Sequence, residues 1–200
     1  MQRIVLASSN RGKLLELRAL LESRKIELLS QTELGISDAH ESGLSFVENA
    51  LIKARHAARQ SGLPALADDS GLCVNALGGA PGLYSARYAG VHGDDVANNA
   101  RLLNALSGSA DVQRMAYFQC SIALLRSAND PAPLIAEGRW YGRILDAPRG
   151  SGGFGYDPLF LDPESGMSAA ELDTATKNRI SHRGQALAVL RQLMDASAAP

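Results

Sequence analysis

The sequence predicts a mixed α/β fold, a central mixed sheet with flanking helices, and three features carry that prediction. Near the N-terminus an apolar run, Ile4-Val5-Leu6-Ala7, meets a polar turn and passes at once into an amphipathic run, the pattern of a strand feeding a helix. In the middle, residues 114–125 and 134–145 read as strands joined by the turn "ANDPAP", a connection short enough to make them an antiparallel pair. The final segment is helical again. Helices therefore come from both ends and sheet from the middle, while the order of the strands does not follow from these patterns.

In chain order, Leu14, Leu17, Leu20 and Leu21 recur at helical spacing with Glu16, Arg18 and Glu22 between them, so an amphipathic helix follows the first strand. Ile26 to Leu29 suits a second short strand, and 32–43 a loop. Ser45-Phe46-Val47-Glu48 is a capping box that opens a helix carrying Ala50, Leu51, Ala54, Ala57 and Ala58 and ending near Gly62. "LPALADDSGL" gives a short apolar strand with Asp68 and Asp69 at its end. "GGAPGLYSARYAG" holds too many turn formers for regular structure and reads as a loop ahead of a helix at 94–106, with Gly108 as its stop. After the antiparallel pair comes the glycine-rich loop "RGSGGFGYDP", and the last helix, starting at 181–184, puts Ala186, Leu187, Leu190, Leu193 and Met194 on one face. No repeat, low-complexity tract or linker interrupts the chain. Residues 1–200 are expected to form a single domain.

Bulk properties narrow the function. Two hundred residues, 46% of them hydrophobic, suffice for one substantial core or for one domain with two lobes. Twenty basic and twenty-one acidic residues leave no bulk positive field of the kind that holds a nucleic-acid polymer, so a phosphate-bearing ligand should be small. Cys73 and Cys120 stand far apart, with no Cys-x-x-Cys and no nearby His, which suggests neither a zinc site nor a disulfide framework and reads as a reduced, cytoplasmic protein. Four apolar residues before Ser8 are too few for a signal-peptide core, and no stretch approaches the ~20 apolar residues of a membrane span.

Several segments can carry chemistry. The first strand-to-helix turn, Ser8-Ser9-Asn10-Arg11-Gly12-Lys13, lacks the first glycine and the final Ser or Thr of a phosphate loop, yet a helix start binds anions through free N–H groups and the positive end of its dipole. Lys13 in the first helical turn opposes that dipole unless an anion is present; the plain alternative is that Asn10 caps the helix and Lys13 is solvated. Lys177, Arg179, His182 and Arg183 gather at the last helix entrance, which suggests one polyanion gripped from two sides, against the alternative of a solvated basic turn. One of the two aspartates, with Glu41, would make a two-carboxylate magnesium site completed by waters and phosphate oxygens. Successive strand residues face opposite ways, so only one of Asp68 and Asp69 points to such a site, and the residues do not say which. Lys53 follows Asn49 by one helical turn, away from the alanine stripe. Phe154, flanked by Gly152, Gly153 and Gly155, either anchors its loop or lies flat on a planar ligand. Asp157 is directed by the Pro158 that follows it.

"SSNRGK", "ESGLSFVENALIKARHAA", "ADDSGL", "GGAPGLYSARYAG", "GGFGYDPLF" and "SHRGQAL", in this order and at these separations, resemble the inosine/xanthosine triphosphate pyrophosphatase family over Ile4 to Leu193. The resemblance implies an elongated mixed α/β fold with two lobes around an active-site cleft, usually a homodimer. It implies hydrolysis of noncanonical purine nucleoside triphosphates (ITP, dITP, XTP) to the monophosphate and pyrophosphate, with magnesium. It assigns Ser8, Asn10, Lys13 and Lys53 to the phosphates, with Ser9, Arg11 and Gly12 of the same turn expected to be substrate-binding, Glu41 and Asp69 to the metal, with Asp69 activating water, and Ser70 to the substrate. Phe154, Gly155, Tyr156, Asp157, Lys177, His182 and Arg183 match the nucleoside side. Ser8 stands where the family often has Thr, and His40 where a second acid is common. A non-catalytic nucleotide-binding regulator and a phosphatase removing only the terminal phosphate are the rival readings.

Overall fold

The computed structural model describes residues 2–8, 14, 17, 18 and 26–198. The described residues form six strands, β1 (Gln2–Leu6), β2 (Ile26–Ser30), β3 (Ala65–Val74), β4 (Met115–Leu125), β5 (Leu134–Ile144) and β6 (Phe160–Leu161), in the order β2-β1-β3-β4-β5-β6. The main described helices are α1 (Phe46–Ser61), α2 (Asp95–Ala105), α3 (Thr174–Ile180) and α4 (His182–Ala198). β1 runs parallel to β2, with Ile4 opposite Leu28, and parallel to β3, with Val5 opposite Ala65. β6 is antiparallel to β5. Side chains pair across β4 and β5 in opposite directions along the two strands, Tyr117 with Tyr141, Gln119 with Arg139 and Ser121 with Glu137, so these strands are the expected antiparallel pair. Leu14 and Leu17 are helical as expected; no described helix is long and apolar enough to cross a membrane.

Two compact units divide the chain. One comprises Met1–Asp69, Cys120–Gly138 and Arg183–Pro200; the other comprises Ser70–Gln119 and Arg139–His182. In the first, the sheet is buried on both faces, which is why its strands read as apolar runs rather than alternating ones. Ile4, Leu6, Leu66, Ile122 and Leu124 pack with Ala186, Leu187 and Leu190 of α4. Val5, Ala65, Ala67, Ala123 and Leu125 pack with Ala50, Ala54, Ala57 and Ala58 of α1. Period-two alternation along β1 and β3 thus sends neighbours to different helices.

The second unit is built around Phe118, Trp140, Phe160, Leu102 and Leu159. The Trp140 and Phe160 rings meet at 4.9 Å, and the buried Trp140 Nε1 donates to Asp162 Oδ1 at 2.9 Å, so the indole loses no hydrogen bond on burial. Buried Arg114 ties strand and helix ends together by donating to the carbonyls of Leu106, Ile144 and Leu145.

Four local expectations need correction. Asp68 and Asp69 lie inside β3, which continues to Val74, because Leu72 and Val74 have a second core to enter. "GGAPGLYSARYAG" contains a 3₁₀ segment, Gly82–Arg87, in which Ser85 Oγ bonds the Gly82 carbonyl. α2 ends within a residue of the expected 106, but its C-cap is Leu106 rather than Gly108, and Arg114 takes the Leu106 carbonyl. Lys177 and Arg179 do not open the final helix: they occupy the last turn of the separate helix α3, where cations suit the dipole, and Asp173 caps its start.

Candidate active site

The pair Asp68-Asp69 shows how the fold distributes charge. Asp68 shares the face of Leu66 and meets Arg183 of α4, Nη2 to Oδ2 3.4 Å, both side chains being buried. Asp69 shares the face of Ala67 and meets α1: Lys53 Nζ lies 2.7 Å from its Oδ1, and Asn49 Nδ2 donates to its Oδ2 at 3.3 Å. Strand alternation thus separates two adjacent carboxylates that would otherwise repel at one place.

α1 is well defined where it presents these groups. Ser45 caps it, its Oγ accepting from the Glu48 N–H at 3.3 Å, while Glu48 reaches back to Ser45 Oγ at 2.7 Å and to the Leu44 N–H at 2.9 Å. The helix stops at Gly62, at φ 69°, with its N–H on the Ala58 carbonyl. Asn49 and Lys53 are four residues apart and so project from one face. Asn49 Oδ1 accepts from the Gly43 N–H at 2.9 Å, and a Cβ at Gly43 would stand 2.7 Å from that oxygen. The Asn49 amide therefore links the loop carrying Glu41 to Asp69.

Glu41 comes to the same ammonium, its Oε1 3.1 Å from Lys53 Nζ. Burial pulls the Lys53 ammonium down, but Asp69, Asp68 and Glu41 outweigh it and raise it above the ordinary lysine value. Two carboxylates converging on one cation are chemically suited to magnesium, which takes one or two carboxylates and fills its remaining positions with water and phosphate oxygens. Among the described residues no cluster of three or more His, Cys, Asp and Glu forms an all-protein metal cage.

The second constellation is organised by Asp157. Its Oδ2 accepts from Lys177 Nζ at 2.6 Å and from the Phe154 N–H at 2.8 Å. Lys177 Nζ lies 5.2 Å from the Phe154 ring centre, within cation–π range, and the residue is 38% exposed, leaving surface for a planar partner. Gly153 cannot carry a side chain, since a Cβ there would run into the Asp157 carboxylate. Tyr156 donates to the Ser85 carbonyl at 2.9 Å, and burial, aided by Tyr88 and Asp95, pushes its phenol far up. His182 stacks on Phe118, with ring centres 4.8 Å apart and planes 14° apart.

Eight of the residues singled out in the sequence thus fall into local groups: Glu41, Lys53 and Asp69 in one, Phe154, Asp157 and Lys177 in another, Arg183 with Asp68 in a third. Ser70 follows Asp69 on β3 and is half-buried; Ser8 follows β1, its N–H on the Leu6 carbonyl. Ser9, Asn10, Arg11, Gly12 and Lys13 lie outside the described residues. Sequence reasoning missed Asn49 as a carboxylate partner, although its place one turn before Lys53 was visible, and it missed the partners of Gly155 described below.

A family model described as the Ham1 family matches residues 4–193. Among curated proteins, the dITP/XTP pyrophosphatase of Xanthomonas campestris pv. campestris is 61% identical over 196 residues, 98% of each chain. That of Ralstonia nicotianae is 60% identical over 193 residues, 95% of each chain. Among solved structures, a HAM1 protein from Coxiella burnetii has a TM-score of 0.91 and 52% identity, covering 98% of this chain and all of that one. The Ham1 protein of Staphylococcus aureus has a TM-score of 0.86 and 36% identity.

Proposed function

Because the chain belongs to the Ham1 family, we propose that it hydrolyses noncanonical purine nucleoside triphosphates, ITP, dITP and XTP, to the monophosphate and pyrophosphate, removing them from the cytoplasmic nucleotide pool. The observation that carries this reading is the meeting of Glu41 and Asp69 on one Lys53 ammonium: an acidic pair and a cation on adjoining elements, suited to a metal-bound polyphosphate. Glu41 and Asp69 would hold magnesium, which when bound neutralises phosphate charge. Lys53, with Ser8, Ser70 and the turn Ser9 to Lys13, takes the phosphates and steadies the charge that builds on departing pyrophosphate, since such reactions depend chiefly on positioning and electrostatics.

Asp69, its two oxygens directed by Asn49 and Lys53, orients a water towards the α-phosphorus and accepts its proton. The water oxygen forms the new bond to phosphorus, the bond to the β-bridging oxygen breaks, and pyrophosphate leaves with the electron pair. Phe154 covers the purine; Gly155, Tyr156 and Asp157 complete its loop. Lys177, His182 and Arg183 supply donors suited to a 6-oxo acceptor, where adenine would present another donor. An unpaired buried polar group costs roughly 1–3 kcal/mol, so a few such contacts give strong selection against ATP. The resemblance further implies a homodimer, which the mass of the protein in solution tests.

Incubation with magnesium and ITP, ATP or GTP, reading both products, decides the matter. IMP with pyrophosphate from ITP, and little turnover of ATP, is expected. IDP with phosphate would mark a terminal phosphatase, and nucleotide binding without turnover a regulator.

A further inference from the structure

The loop carrying Phe154 has glycine at 150, 152, 153 and 155, and such a segment has few side chains with which to hold an aromatic ring in place. Its position has to come from outside. Gly155 stands at φ 61°, and both of its main-chain polar groups are taken by side chains of α2. Its N–H donates to Asp95 Oδ2 at 2.7 Å, and its carbonyl accepts from Asn99 Nδ2 at 3.0 Å. Asp95 and Asn99 are four residues apart and share one helical face, so a single face of α2 grips one loop residue on both sides. The adjoining Phe154 N–H is on the Asp157 carboxylate, so three of the four main-chain polar groups of Phe154 and Gly155 have side-chain partners, and the fourth, the Phe154 carbonyl, accepts from the Asp157 N–H.

The helix that supplies the grip is itself fixed. Asp94 caps it by accepting from the Ala97 N–H at 3.0 Å, and Leu102 is fully buried in the core. Asn99 is not explained by helix formation. Asparagine is a poorer helix former than alanine, and among the described residues its buried Oδ1 has no hydrogen-bond partner. The bond to Gly155 accounts for its presence.

We infer that Asp95 and Asn99 are positioning residues that fix the Phe154 ring for the purine and thereby set the KM for the nucleotide, without taking part in hydrolysis. This rests on the reading that Phe154 covers the base. Steady-state kinetics with ITP, combined with a double-mutant cycle, test it. Asp95→Ala and Asn99→Ala should each raise KM roughly five- to tenfold with kcat nearly unchanged, the size expected for one hydrogen bond. Asp95→Asn should restore most of the affinity, because the amide oxygen can accept the same N–H. In a Phe154→Ala background Asn99→Ala should add no further rise, since the ring through which it acts is gone.

A rise in KM of equal size in both backgrounds would overturn the inference, as would a lowered Tm with KM unmoved. If Phe154→Ala raises KM and neither α2 variant does, the positioning role alone fails. If Phe154→Ala leaves KM unchanged, the base-stacking reading fails and the positioning role falls with it. Should Asp95→Ala not fold, Asn99→Ala carries the same test.

Discussion

Lys53–Asp69 and Lys177–Asp157 are ion pairs of nearly the same length, 2.7 and 2.6 Å, with similarly buried side chains, yet they stand in opposite kinds of surroundings. Lys53 rises from a long capped helix and Asp69 from a strand buried on both faces; a second acid, Glu41, shares the ammonium. Asp157 lies in a glycine-rich loop, and what shares its lysine is a ring, Phe154. The first pair is held by regular structure and concentrates charge. The second is held by side chains bonding main-chain groups, and it places a flat apolar surface beside a cation. Equal distances therefore do not imply equal roles: the first arrangement suits phosphate and metal, the second a heterocyclic base.

The largest effect expected from this contrast is on turnover. Asp69→Asn keeps the shape of the side chain but cannot accept a proton, and should lower kcat roughly 10²–10⁴-fold with KM little changed. Undiminished turnover would remove Asp69 from its assigned role. Phe154→Ala should do the reverse, raising KM roughly ten- to hundredfold at nearly constant kcat, as loss of one base–aromatic stack predicts. A fall in kcat alone would erase the division of labour between the two pairs.

Smaller effects sharpen the comparison through stability. Ser45→Ala removes the cap of α1 and should cost about 1 kcal/mol in denaturant melts. Because Asn49 and Lys53 are also held by contacts to β3, KM should not move with it. Acid should find a third pair. Arg126 bonds the buried Asp130 and, with main-chain N–H groups, holds its carboxyl well below the ordinary 3.8 despite burial. A depressed carboxyl contributes stability that is present above its unfolded value and lost as pH falls through the folded one. Asp130→Asn should therefore flatten the fall in Tm below pH ~4 while leaving Tm differences above pH 5 independent of pH.

Legibility in the sequence followed the same contrast. α1 could be read from end to end because its start is a Ser-x-x-Glu pattern, its stop a glycine and its core face an alanine stripe. The antiparallel pair β4 and β5 followed from apolar runs and one short turn. Alternation separated Asp68 from Asp69, but which of them meets Lys53 depends on α1 and α4 covering different faces, a tertiary fact. Helix α3 was invisible because its seven residues, TATKNRI, bury none of their number and so carry no apolar period. The grip on Gly155 was invisible too: its acceptor Asp95 and its donor Asn99 lie 60 and 56 residues before it in sequence, and nothing local marks an asparagine that bonds a distant glycine.

Hydrolysis of ITP in ¹⁸O-labelled water tests the central claim, that the Asp69 group directs water onto the α-phosphorus. One labelled oxygen in IMP and none in pyrophosphate is expected, with both the reaction and the labelling slowed in Asp69→Asn in proportion to its fall in kcat. Label in pyrophosphate, or release of labelled inorganic phosphate with IDP, would contradict it.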